Sequence, residues 1–202
     1  MSREIINMKD FVSAALLAGG NSSRMGFDKQ YFHIYKERLF KNILPVLCSL
    51  FDDVMVVTGQ PELYIKMNVR IINDIIPGYG PLSGIHAAVK ESKSRYVYII
   101  ACDMPVINID YIKYMMDILS SNSADACLAI KGDWIEPFHA FYGKNCLSMM
   151  EADLLDNNAT IHYVLQKLNT YYIPEPEARR FSPDWSLFRN LNTPEDLEAW
   201  KS

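Results

Sequence analysis

The chain has 202 residues, half of them apolar and 22% charged, with a net charge of −4. That is enough for one domain with a self-sufficient core, and too apolar for wholesale disorder. Mild acidity disfavours nucleic-acid and anionic-membrane partners, and no apolar run approaches the ~18 residues of a membrane span. Glu4 and Asp10 sit where a signal peptide would be basic. A cytoplasmic protein is therefore expected, with residues 1–10 an N-terminal extension and 11–202 one domain.

In chain order, Val12 to Ala18 is a short continuous apolar run ending in Gly19-Gly20, as in a strand buried on both faces. Leu39 to Leu50 has apolar residues at helical spacing. Val54 to Thr58 and Val69 to Ile72 read as buried strands, and Gly80 to Glu91 as a helix after the turn-rich Pro77-Gly78-Tyr79-Gly80-Pro81. Tyr96 to Ala101 is a further strand. Asp110 to Leu119 is a helix capped near Asn108. Ala126 to Ile130 and Phe138 to Tyr142 are strand candidates. Asn145 to Asp153 and Thr160 to Leu168 look helical, and Tyr171 to Ile173 extended. Pro174 to Asp184, rich in Pro and charge, reads as a surface loop before one last strand-helix unit. That unit ends in a helix over Pro194 to Trp200 with Thr193 as its cap. Alternating strands and helices imply βαβ units around a parallel sheet. Such sheets bind ligands beyond the carboxyl ends of their strands.

Four stretches fall at those ends. After the first strand comes Leu17-Ala18-Gly19-Gly20-Asn21-Ser22-Ser23-Arg24-Met25-Gly26-Phe27-Asp28-Lys29. Its glycines permit close backbone approach, its small polar residues offer hydrogen bonds, and Arg24 and Lys29 bring two cations, which together suit a polyphosphate. It is neither a P-loop nor a G-x-G-x-x-G fingerprint. Taken alone, the Gly-Gly pair fits a plain turn. After the fourth strand, Cys102-Asp103-Met104-Pro105 offers a carboxylate for Mg²⁺ or a turn-forming Asp. Asn73-Asp74 with Gly80-Pro81-Leu82-Ser83-Gly84 offers either groups that read a base or ribose or an ordinary turn. Asn190-Leu191-Asn192-Thr193-Pro194-Glu195-Asp196 reads by itself as a helix start.

In this order the four stretches resemble the nucleotide-sugar-type nucleotidyltransferases, and most of all the molybdenum cofactor guanylyltransferase family. That family's L-A-G-G-x-S-x-R-M-G-x-D-K is matched at every fixed position. Further likeness lies at Gly80 to Gly84, Cys102 to Pro105, Pro137-Phe138-His139-Ala140-Phe141-Tyr142 and Asn190 to Asp196, so that it extends from Val12 to Trp200. The resemblance implies a single-domain Rossmann-like α/β fold, a three-layer sandwich with a mostly parallel central sheet of the nucleotide-diphospho-sugar transferase type. It implies transfer of GMP from GTP to a molybdopterin-type molybdenum cofactor, with Mg²⁺ as the metal and pyrophosphate released. Leu17, Ala18, Gly19, Gly20 and Gly80 would contact the nucleotide, and Arg24 and Lys29 would neutralise its triphosphate. Asp74 would bind the guanosine side, Asp103 the metal, with Asn192 near metal or phosphates. Arg24, Lys29 and Asp103 would carry catalysis. Other molybdenum cofactor biosynthesis proteins are candidate partners. The second half, with Ala126 to Ile130 and Phe138 to Tyr142, would form the acceptor side. The chain departs from the family pattern at Val57-Thr58-Gly59-Gln60, where an Asn is usual, which touches guanine specificity. A cytidylyltransferase of the same cofactor, another small-phosphate nucleotidyltransferase and a non-catalytic nucleotide-binding protein are the alternatives.

The four histidines show no metal-ligand spacing. His139 either faces the substrate or is a satisfied core residue. Cys48, Cys102, Cys127 and Cys146 form no C-x-x-C pair and are expected to be buried thiols.

Overall fold

The computed structural model describes residues 7–19, 29–156, 160–191 and 196, with the backbone alone for 29–38. Seven strands form one sheet: β1 (Ser13–Leu17), β2 (Asp53–Val57), β3 (Arg70–Ile72), β4 (Tyr96–Ala101), β5 (Ala126–Lys131), β6 (Trp134–Gly143) and β7 (Thr170–Pro174). Their order is β3-β2-β1-β4-β6-β5-β7. All pairings are parallel except the two made by β6, which runs antiparallel to both β4 and β5. The helices are α1 (Lys29–Leu50), α2 (Pro81–Glu91), α3 (Ile109–Ser121), α4 (Leu147–Leu155), α5 (Ile161–Lys167) and the single turn α6 (Glu175–Ala178). Among the described residues no helix is long and apolar enough to cross a membrane.

Strand alternation divides the core between the two faces of the sheet. Ala14, Leu16, Val54, Val56, Tyr98 and Ile100 pack on one face with Leu47 of α1 and Met115 of α3. Ala15, Leu17, Met55, Val57, Val97 and Ile99 pack on the other with Ile85 of α2 and Met150 of α4. The result is the expected three-layer sandwich. Because both faces are covered, β1, β2 and β4 are buried along their whole length, which is why their sequences read as continuous apolar runs.

The two-residue connection Gly132-Asp133 between β5 and β6 is too short for a parallel crossover and closes a hairpin. Gly132 takes φ +57 there, a left-handed conformation that other residues enter only with strain. Asn108 caps α3 by accepting from the Tyr111 amide, and Thr160 caps α5 by accepting from the Tyr163 amide.

Three expectations need correction. The first helix starts at Lys29 instead of Leu39, because the regular apolar spacing that marked it begins only at Leu39; Pro45 is accommodated inside it on an exposed position. The stretch Pro174 to Asp184 is not simply a surface loop. It contains α6, whose Ala178 is fully buried, and Ser182 is buried too. The segment after it continues as a 3-10 turn at Ser186–Phe188, with no strand over the described residues to Leu191. Cys48 is exposed on α1 and Cys102 half-buried, leaving only Cys127 and Cys146 as buried thiols. Of the helix expected over Pro194 to Trp200, only Asp196 lies within the described residues, and it is helical.

At the N-terminus Met8–Phe11 forms one 3-10 turn. It seats the Phe11 ring against Tyr96 (centroids 5.3 Å apart, stacked) and edge-on to Phe141 (5.6 Å). The core thus begins at Phe11.

Candidate functional site

The carboxyl ends of β1, β2, β3 and β4 lie side by side on one edge of the sheet. The ladder continues one step past each strand. The Ala18 amide donates to the Val57 carbonyl (2.9 Å), that of Thr58 to Ile72 (3.0 Å) and that of Cys102 to Leu17 (3.0 Å). These bonds hold the first residues of three loops in a fixed row. Gly19, next along the first loop, is exposed, and a Cβ there would meet no described atom within 4 Å. Packing therefore does not demand the glycine.

Beyond β3, Asp74 is an exposed residue whose carboxyl is crowded enough that burial raises its pKa above the usual value. Its Oδ1 stands 3.7 Å from where a Cβ on Gly84 would be, and the Leu17 side chain 3.3 Å from the same point. Leu17, Asp74 and the first turn of α2 are thus in one cluster. Gly80 enters that helix at φ +58, ψ −134, a region essentially reserved for glycine. Pro81 occupies its first position and the Tyr79 amide donates to Ser83 Oγ (3.1 Å). The α2 N-terminus faces the same edge, its Ser83 amide donating to the Gly80 carbonyl (3.2 Å).

Beyond β4 the chain makes a tight turn in which the Met104 amide donates to the Ala101 carbonyl (3.2 Å). Asp103 is half-buried in this turn. The Leu191 amide donates to the Asp103 carbonyl (2.7 Å), bringing a segment from the far end of the chain against it. At a strand spacing of ~4.8 Å, three strand steps separate the β4 end from the β3 end, so Asp103 and Asp74 stand on the order of 14 Å apart. That is the reach of an extended nucleoside triphosphate.

Among the predicted site residues, the structure brings Leu17, Ala18, Gly19, Asp74, Gly80 and Asp103 to one edge. Gly20, Arg24 and Asn192 lie outside the described residues. Lys29 is the first residue of α1, and its side chain is likewise outside them. Leu191, the neighbour of Asn192, is held on Asp103 as above. No group of three or more His, Cys, Asp or Glu able to hold a metal occurs among the described residues. A cation at Asp103 would take most of its ligands from phosphate and water, the habit of Mg²⁺ rather than of zinc.

His139 is the feature the sequence left open. It is fully buried and lies in a wide bulge of β6. Phe141 pairs with Cys127 and Glu136 with Ala129, so Pro137 to Ala140 stand opposite Leu128 alone. Within the bulge His139 has φ +50, a conformation costing about 1–2 kcal/mol for a residue with a Cβ. Its Nδ1 is 2.7 Å from the Tyr98 hydroxyl, and its ring meets Phe188 edge-on (6.1 Å). Its Nε2 makes no well-formed hydrogen bond to a described group. Burial pushes its pKa down to about 3, against a small upward pull from the Met104 backbone. It is a neutral core residue beneath the Asp103 turn, not a surface group facing a ligand.

In the second half of the chain, Glu136 is buried and its carboxyl raised by burial, though hydrogen bonds from Trp185 and Trp134 and the charge of Lys131 oppose this. Trp185 sits between Lys131 (5.3 Å) and Arg179 (5.4 Å) and packs on Phe188 (4.5 Å).

Residues 14–170 match the family model of the MobA-like NTP transferase domain. A protein of Peptoclostridium acidaminophilum named a probable molybdenum cofactor guanylyltransferase is 46% identical over 99% of this chain and 93% of its own. The molybdenum cofactor guanylyltransferase of Syntrophotalea carbinolica is 47% identical over 95% and 91%. The crystal structure of molybdopterin-guanine dinucleotide biosynthesis protein A from Archaeoglobus fulgidus superposes with a TM-score of 0.74 at 25% identity, covering 93% of this chain and 95% of that one.

Proposed function

We propose that this chain, which belongs to the MobA-like NTP transferase family, transfers GMP from GTP to a molybdopterin-type molybdenum cofactor. The products are the guanine dinucleotide cofactor and pyrophosphate. The reading is supported by full-length relatives carrying that name. The single structural observation behind it is the row of Asp74, Leu17 to Gly19 and Asp103 along one sheet edge, spaced for a nucleotide. Its domain is taken as 11–202, with 1–10 as an extension.

On this reading the Leu17–Gly20 backbone and the α2 N-terminus at Gly80 cradle the nucleotide, and Asp74 lies at its guanosine end. The terminal phosphate oxygen of the acceptor attacks the α-phosphorus. A P–O bond forms there while the bond to the β-phosphate oxygen breaks, and pyrophosphate leaves. A phosphate monoester is already anionic near neutral pH, so no general base is needed. What the chain supplies is alignment and charge. Lys29 and Arg24 oppose the charge building on the leaving group, Arg24 bidentately. Nucleotidyltransferases typically use a divalent metal; Asp103, with Asn192 nearby, would hold Mg²⁺, which polarises the phosphate oxygens when bound.

The test is pyrophosphate release by the purified protein given molybdopterin, Mg²⁺ and each of GTP, ATP, CTP and UTP. Release with GTP alone is expected. Asp103→Asn should retain the melting temperature of the parent and lose ~10²-fold in turnover, the scale for removing one electrostatic stabiliser. Release with CTP alone would reassign the product, and an unimpaired Asp103→Asn would remove the assigned role of this carboxylate.

A further inference from the structure

We propose that His139 is a positioning residue: a neutral imidazole wedged beneath the Asp103 turn that sets where this carboxylate points. The proposal deepens the reading above and rests on it for the role of Asp103.

Three segments meet on the ring. The first is β4, through the Tyr98 hydroxyl at 2.7 Å from Nδ1. Three residues past Tyr98 the strand ends at Ala101 and the Asp103 turn begins. The second is the turn itself, whose Met104 backbone is close enough to act on the ring. The third is the C-terminal segment, through Phe188 at 6.1 Å. From Phe188 the chain has at most about 10 Å of reach to Leu191, whose amide closes on the Asp103 carbonyl at 2.7 Å. One side chain therefore touches the strand that leads into Asp103, the residue that follows it, and the segment bonded to it.

The backbone around His139 is shaped for this contact. The register of β4 with β6 ends at Ile99 opposite Ala140, which leaves the last two residues of β4 and the turn without a ladder partner from β6. The bulge over Pro137 to Ala140 and the left-handed φ of His139 occur where that ladder stops. Strained, buried polar residues of this kind persist where the surrounding structure over-determines them, and they gather at functional sites. An apolar core residue would fill the same space without the Tyr98 bond. On this proposal the effect of the ring runs through Asp103.

The test is site-resolved amide hydrogen exchange on the whole chain, wild type against His139→Phe and Tyr98→Phe. The first keeps an aromatic ring and removes both nitrogens. The second keeps the packing and removes only the hydroxyl that orients the imidazole, so it decides the matter if His139→Phe fails to fold. Protection of the Leu191 and Met104 amides should fall at least ten-fold in the folded variants. That of the Asp53 and Thr58 amides, bonded to Val12 and Ile72, should change less than two-fold. Unchanged protection at Leu191 and Met104 overturns the proposal, and so does an equal loss at all four, which would make His139 an ordinary core residue. In the transfer assay, kcat should fall at least ten-fold with KM for GTP within two-fold. A rise in KM alone also overturns it. A wild type that releases no pyrophosphate refutes the proposed function instead, while the exchange pattern still decides whether His139 sets the Asp103 turn.

Discussion

At the amino-end of the sheet, away from the candidate site, Asp53 accepts from Arg70 Nε (2.7 Å) and Nη2 (3.0 Å), Ser13 Oγ (2.8 Å) and the Lys93 amide (3.3 Å). Its side chain is 3% exposed and that of Arg70 33%. Asp53→Asn keeps the shape but removes the charge and turns an amide donor toward Arg70 donors. Removing one partner of a buried ion pair costs ~3–5 kcal/mol. With Arg70 a third exposed, water recovers part of this, leaving about 2–3 kcal/mol. For a chain of this length that is a fall of roughly 4–12 °C in melting temperature, measured by thermal denaturation at pH 7. The pH dependence has a definite sign. Burial alone would raise the Asp53 carboxyl, but the bonds from Arg70, Ser13 and Lys93 outweigh it and hold the folded value below the ordinary one. The stabilisation is then complete above the unfolded value of about 4 and is lost as pH drops through the lower folded value. The gap between wild type and variant should narrow only below about pH 4. A fall of less than 2 °C at pH 7, or a gap that widens with acid, would refute this account.

Four other predictions concern other parts of the molecule. Phe11→Ala removes a ring stacked on Tyr96 and edge-on to Phe141 and should cost ~3–5 kcal/mol in denaturant unfolding; a chain starting at Met8 should match the full chain in stability and turnover. Gly143→Ala would set a Cβ 3.0 Å from both the Asp125 carbonyl oxygen and Tyr96 Cε1, and should cost about 1–3 kcal/mol in the same assay. Asp74→Asn, at the proposed guanosine end, should raise KM for GTP with kcat nearly constant, and a fall in kcat at constant KM would place Asp74 in the wrong role.

Most of the fold was legible in the sequence because strands buried on both faces are nearly pure apolar runs, and Val12 to Ala18, Val54 to Thr58 and Tyr96 to Ala101 are such runs. The hairpin at Gly132-Asp133 was not read, because the expected strand Phe138 to Tyr142 covers only the second half of β6. The front half of α1 was missed because the regular apolar spacing begins only at Leu39. The turn at 175–178 was missed because proline and charge suggest solvent, while Ala178 alone supplies the buried contact. Asp74 and Asp103 could be proposed from the sequence because loops at strand ends carry their polar residues in the local sequence, whereas most of the glycine loop lies outside the described residues. His139 could not. Its role depends on a bulge in β6, on Tyr98 41 residues away, and on a C-terminal segment, none of which has a local signature.

The bond from Leu191 to Asp103 also has a consequence in time. The two residues are separated by about 90 positions, and a ribosome adding about 5–20 residues per second needs on the order of ten seconds to pass from one to the other. The early strands and the glycine loop exist well before the segment that braces Asp103 has been made. A nascent chain therefore has the parts of a nucleotide cradle before it has a fixed carboxylate beside it. Truncated products of interrupted translation would lack this brace, so the activity appears only in finished molecules.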